Sequence, residues 1–121
     1  MSAYVVWMDS TNAKIFHIEG DNIDSSKAFR HDHDHHTENK NDSKHKDSPR
    51  FFLEVADHLK EGKDSVLLVG PGLSKSHFVT FLEDHHRKEL AHRIVGTEAM
   101  DHQSDAQIVA YARNYFPQGT L

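Results

Sequence analysis

The chain contains no cysteine. Disulfides, thiolate metal sites and thiol nucleophiles are therefore excluded. Apolar residues are scarce, at 36% of 121, against the ~45–50% usual for a soluble domain when glycine is counted with them. No run approaches the ~20 apolar residues that span a membrane. The start, Met1-Ser2-Ala3-Tyr4, has neither a basic region nor a long apolar stretch. It reads as no signal peptide, and a soluble cytoplasmic protein is the expectation. Positive charge is also short. The formal net charge is -5 with histidine neutral, which argues against a strong general nucleic-acid binder. Three catalytic signatures are missing: the GxxxxGK[ST] phosphate loop, the GxSxG serine elbow and the HExxH zinc helix.

Histidine is abundant, with twelve copies. Charging all of them would carry the formal sum from -5 to +7. Histidine titrates near pH ~6.5, so the surface field is sensitive to pH. The apolar shortage is local. Residues 31–48 read HDHDHHTENKNDSKHKDS and contain no Ala, Val, Ile, Leu, Met, Phe, Trp or Tyr. Such a segment cannot bury enough surface to offset its ordering entropy. A long mobile loop is expected there, inside one domain covering 1–121. If extended, it sets His31, His33 and His35 on one side and Asp32, Asp34 and His36 on the other. Imidazole and carboxylate suit a transition metal such as zinc. His31, His33, His35 and His36 are thus candidate ligands, against the plainer reading of a solvated polar loop.

The rest of the chain is organised around 65–78. Val66, Leu67, Leu68 and Val69 form a short apolar run, which predicts a central strand covered on both faces. Gly70-Pro71-Gly72 breaks it. Ser74 is placed to cap a helix whose apolar positions are Phe78, Phe81 and Leu82. A helix start beside Lys75 suits a phosphate or carboxylate. Gly70, Gly72, Ser74 and Lys75 are accordingly candidate anion- or RNA-binding residues, with Lys75 exposed. The plainer alternative is a turn that only turns.

Around this core, Ala3 to Met8 and Ala13 to Ile18 predict a hairpin joined by Asp9-Ser10-Thr11-Asn12. A weaker third strand covers Ile23 to Arg30. Ser48-Pro49 starts a helix that runs to about Glu61. The helix after the glycine turn extends to about Glu89. A short strand covers His92 to Gly96. Residues 97–103 form a polar link, and Ser104 with Gln107 forms a capping box for the last helix. The order is βββ-loop-αβαβα, which gives an α/β fold with a ribonuclease H-like mixed sheet and helices on its faces. That fold prompts a metal-dependent hydrolase reading through Asp9 with Glu54 or Asp57. The set is incomplete, because the central strand ends in Val69-Gly70-Pro71 without a carboxylate.

Several short motifs carry a resemblance. They are the hairpin Asp9-Ser10-Thr11-Asn12-Ala13-Lys14-Ile15-Phe16, the turn Gly70-Pro71-Gly72 with Lys75, and Gly96-Thr97-Glu98-Ala99-Met100-Asp101-His102 with Asp105 and Gln107. Together with the long polar loop, these resemble the bacterial relatives of the archaeo-eukaryotic peptide release factors, of the "translational machinery protein" type. The similarity is to the ribonuclease H-like central domain. The resemblance implies a ribosome or RNA partner. In that family the loop before the first helix carries a Gly-Gly-Gln tripeptide that promotes peptidyl-tRNA hydrolysis. Residues 31–48 hold no glycine and no glutamine, so no catalytic residue carries over. The resulting expectation is a non-enzymatic translation accessory protein. A divalent-metal-binding protein acting through the histidines, and a metal-dependent hydrolase, are the alternatives.

Overall fold

The computed structural model describes residues 2–20, 22–30, 49–60, 62–85 and 87–116. The histidine-rich segment 31–48, with the four candidate ligands and the Ser48 cap, lies outside them. The elements in chain order are β1 (Ser2–Met8), β2 (Asn12–Glu19), β3 (Asn22–Arg30), α1 (Pro49–Leu59), β4 (Ser65–Gly70), α2 (Ser74–Asp84), α3 (Lys88–Arg93), β5 (Ile94–Ala99) and α4 (Asp105–Tyr115). The strands form one mixed sheet in the order β3-β2-β1-β4-β5. β2 runs antiparallel to β1 and β3, and β4 runs parallel to β1 and β5. This is the ribonuclease H-like arrangement predicted from the element order. Four strands point the same way, so β1, β3, β4 and β5 all end at one edge.

Alternation along the strands builds two cores. Tyr4, Val6, Met8, Ala13, Ile15, Val66 and Leu68 face α1, α2 and α3, and pack with Phe51, Phe52, Val55, Leu59, Phe78, Phe81, Leu82 and Leu90. Ala3, Val5, Trp7, Phe16, Ile18, Leu67 and Val69 face the other way, onto Ile108, Val109 and Ala112 of α4 and onto Phe116. β4 is therefore covered on both faces, as its unbroken apolar run requires. The middle of the sheet, however, is β1. Its run from Ala3 to Met8 is fully buried as well.

Three boundaries differ from the sequence reading. The long helix expected to reach Glu89 stops at Asp84 and restarts as α3. Neither glycine nor proline marks this stop. The N–H of His85 and its imidazole Nδ1 both reach the Phe81 carbonyl, at 3.0 Å. Its ring stacks on Phe81 at 4.2 Å. A side chain thus closes the helix where a glycine is commoner. The last strand is displaced from 92–96 to 94–99. Its pairing with β4 continues through Thr97, Glu98 and Ala99, with an irregularity between Val66 and Leu67. As an edge strand it alternates half-buried and exposed residues, so its polar composition reads as a link. Finally, α1 ends at Leu59, slightly short of Glu61. The capping box of α4 forms as predicted, with the Gln107 N–H donating to Ser104 Oγ and the Ser104 N–H donating to Gln107 Oε1.

The edge where β4 begins is closed by a polar cluster. Asp64 accepts from Ser2 Oγ and lies 2.8 Å from His17 Nε2. His17 stacks on Tyr4 at 4.3 Å. Arg93 donates to the Asp64 and Leu59 carbonyls, which ties β4 to the end of α1. Burial works to raise the Asp64 pKa. The hydrogen bonds from Ser2 and His17 and the charges of His17 and Arg93 outweigh it, holding the carboxyl below its ordinary 3.8. A depressed value means stability that is present above the unfolded value and lost as pH falls through the folded one.

Two outcomes test this architecture. Val69→Asp places an unpaired charge between sheet and α4, at a cost of several kcal/mol, comparable with the whole ~5–15 kcal/mol of folding stability. Its thermal melt by circular dichroism is expected to lose cooperativity, while Val95→Asp, on the exposed edge, melts like the parent. Asp64→Asn is expected to lower stability at pH 7 by roughly 0.5–1 kcal/mol, the scale of a partly solvated pair. Denaturant titrations should show the two proteins converging as pH drops below 3.8. A gap that stays constant with pH contradicts the assigned charge.

Candidate functional site

The carboxyl ends of β1, β4 and β5 are locked together through Gly70. Its φ is +142°, a region that L side chains rarely enter, and a Cβ added there would sit 2.0 Å from the Met8 carbonyl oxygen. Glycine is thus required for β4 to end against β1. The Gly70 carbonyl accepts from the Met100 N–H at 3.1 Å and from Lys75 Nζ at 2.7 Å. Lys75 also donates to the Gly72 carbonyl at 2.9 Å, and Gly72 takes φ +67°.

The sequence reading places Lys75 in solvent. The structure corrects this: Lys75 is 8% exposed. The Gly70 carbonyl at the end of β4 and the Gly72 carbonyl in the turn both accept from the ammonium, which gives the buried charge its partners. Ser74 is also displaced from its expected role. The first helical bond runs from the His77 N–H to the Leu73 carbonyl, so Leu73 holds the cap position without a side-chain cap bond. Ser74 opens the helix and is buried. Starting the helix at Ser74 brings Lys75 within reach of the turn it closes. Gly70, Gly72, Ser74 and Lys75 thus form one compact turn with the lysine pointing inward.

Beside this turn, the β1–β2 link builds a second feature. Asp9 Oδ1 accepts from the N–H groups of Thr11 at 2.9 Å and Asn12 at 2.7 Å, a side-chain-closed turn. The other oxygen, Oδ2, lies 3.2 Å from His102 Nε2. A carboxylate only accepts, so Nε2 carries the proton in this bond. His102 leans on the Trp7 ring, with centroids 4.7 Å apart and planes at 54°. Trp7 Nε1 donates to the Asp101 carbonyl at 3.1 Å. Lys14, next to Trp7 in the β1–β2 register, pairs with Asp105 at 3.0 Å. Trp7, Asn12, Lys14, His102 and Gln103 line an open cleft of about 280 Å³.

The hydrolase residues are not gathered. Asp9 belongs to the hairpin turn, whereas Asp57 lies on α1 near Lys60 and Arg87, and Glu54 is exposed on the same helix. Among the described residues no group of three or more His, Asp or Glu side chains is placed to hold a metal ion. The residues that sequence reasoning missed are Trp7 and His102 as a pair. They lie 95 positions apart, and their meeting depends on the β5 end being tied to Gly70. Asp105 carried a signal only as part of the resemblance, whereas Asp9 also stood out as a turn and hydrolase candidate and Gln107 as a capping residue.

Among the described residues, Asp9, Gly70, Lys75, Met100 and His102, all from the motifs behind that resemblance, therefore lie at one edge of the sheet. Solved structures share the fold. Archaeoglobus fulgidus Pelota superposes with a TM-score of 0.67 at 16% identity, over 93% of this chain and 31% of that one. Thermoplasma acidophilum Pelota gives 0.66 at 15%, over 93% and 32%. The archaeal translation termination factor aRF1 gives 0.63 at 16%, over 94% and 38%. The fold is that of a segment of Pelota and of aRF1. At these identities the likeness is one of fold, and the chain spans about a third of the length of these proteins. It matches no protein-family model and no curated protein sequence. Among the described residues no helix is long and apolar enough to cross a membrane.

The lysine turn yields a direct test. Lys75→Met keeps much of the buried stem but removes two charge-assisted donors, each worth about 1.5–3 kcal/mol before compensation. A loss of about 2 kcal/mol is expected in urea denaturation. A stability unchanged from the parent would mean that the lysine does not hold the turn.

Proposed function

We propose that this chain is a non-enzymatic translation accessory protein that associates with the ribosome or its RNA. The observation that carries the proposal is the fold shared with a translation termination factor over 94% of the chain. The gathering of residues from the resemblance motifs at one sheet edge supports it. β3 also ends at that edge, with Arg30 opposite Asn12. In the release factor family the loop before the first helix carries the hydrolytic tripeptide. Here residues 31–48 hold neither glycine nor glutamine, which favours contact over hydrolysis. The first turn of α2, without a side-chain cap and with the Lys75 charge beneath it, is offered as the place where a phosphate lands.

Gradient fractionation of the tagged protein from its own cell tests the proposal. Co-sedimentation with ribosomal particles at low salt is expected, declining as salt rises because each neutralised phosphate releases counterion. Protein that stays at the top of the gradient at every salt concentration overturns it. A parallel run with chelator, and with serine at His31, His33, His35 and His36, tests the divalent-metal alternative. Metal-dependent association is expected to vanish in both arms and to weaken at low pH, since protons compete for imidazole.

A further inference from the structure

The cleft at the β1–β5 end has a composition that the fold does not need. Trp7 is 3% exposed and its indole N–H is already satisfied by Asp101. His102 is the reverse: its side chain is 74% exposed, yet it is fixed in two directions. Trp7 packs against the ring in a tilted contact, and Asp9 fixes one ring edge through Nε2. An imidazole held in this way and 74% exposed offers flat ring surface to a stacking group. Holding it beforehand reduces the ordering cost that a ligand stacking there must meet.

Polar groups surround this ring. The Asn12 amide nitrogen donates to Thr11 Oγ1. Among the described residues no bond is made by the Asn12 amide oxygen or by the Gln103 amide. An amide offers both donor and acceptor, which matches the hydrogen-bonding edge of a nucleobase. Lys14 supplies a cation at the rim. Its partner Asp105 is 61% exposed and Lys14 itself 40%, and such pairs are worth only about 0–1 kcal/mol. A phosphate therefore competes for Lys14 readily. The cleft volume, about 280 Å³, falls just below the ~300–1,000 Å³ that holds a drug-sized ligand. One ring system fits; a duplex does not. The overall charge of -5 opposes non-specific backbone binding but leaves room for recognition of a single base by stacking.

We propose that the cleft of Trp7, Asn12, Lys14, His102 and Gln103 binds one unpaired nucleobase of single-stranded RNA. The base stacks on the exposed ring of His102, its edge meets the Asn12 and Gln103 amides, and its phosphate meets Lys14. The proposal rests on the translation-associated reading only for RNA as the source of the base; the cleft itself is an independent observation.

Trp7 is the sole tryptophan, so its emission reports on the cleft directly. The full chain is titrated with short oligouridylate, short oligoadenylate, an RNA duplex of equal length and ribose 5-phosphate. A saturable emission change is expected with the single strands and not with the duplex or the sugar phosphate. His102→Ala is expected to weaken single-strand binding about tenfold or more with an unchanged melting curve, and His102→Phe to restore it through its ring. Equal affinity of the His102→Ala variant, equal binding of the duplex, or no emission change with either single strand overturns the proposal. Ribosome co-sedimentation without single-strand binding defeats the cleft and leaves the accessory role standing. Single-strand binding lost in His102→Ala, in a protein that never sediments with ribosomes, supports the cleft and defeats that role.

Discussion

One carbonyl oxygen holds the functional edge together. Gly70 O takes the Met100 N–H from the strand-exit of β5 and the Lys75 ammonium from α2. The same residue lies so close to Met8 that no side chain fits. Three strand ends and one helix start are thereby fixed to a single peptide unit. Without that junction the segment from Met100 to Ser104 would have no fixed path, and His102 would not return to Asp9 and Trp7. The cleft is thus a consequence of backbone geometry several residues away.

This dependence explains what was readable beforehand. The apolar runs of β1 and β4 and the period-two pattern of β2 are strong signals, because core burial is what sets them. The capping box at Ser104 and proline at the head of α1 are local rules that nothing overrode. The helix end at His85 was hidden because a ring on Phe81 does the work of a glycine. β5 was hidden in part because an edge strand has only one neighbour to satisfy, so Thr97 and Glu98 are tolerated.

The site was legible as a list and not as an arrangement. Lys75 reads as a surface cation next to a glycine turn, and only the positions of the Gly70 and Gly72 carbonyls reveal that it faces inward. Trp7 reads as a strand aromatic and His102 as part of a polar link. Their contact belongs to sheet order, which brings β1 and the chain after β5 to the same edge across β4. Periodicity along the chain carries no information about that meeting.

The two lysines at this edge differ in chemical accessibility. Lys14 is partly solvated, so its amine is open to acylation or cross-linking in the folded protein. Lys75 is enclosed by the carbonyls it serves, and its amine becomes reactive only when the turn opens. The rate at which reagent reaches Lys75 therefore measures local opening of the strand-end junction, separately from global unfolding. The lysine that organises this edge is also the natural clock for how often the edge comes apart.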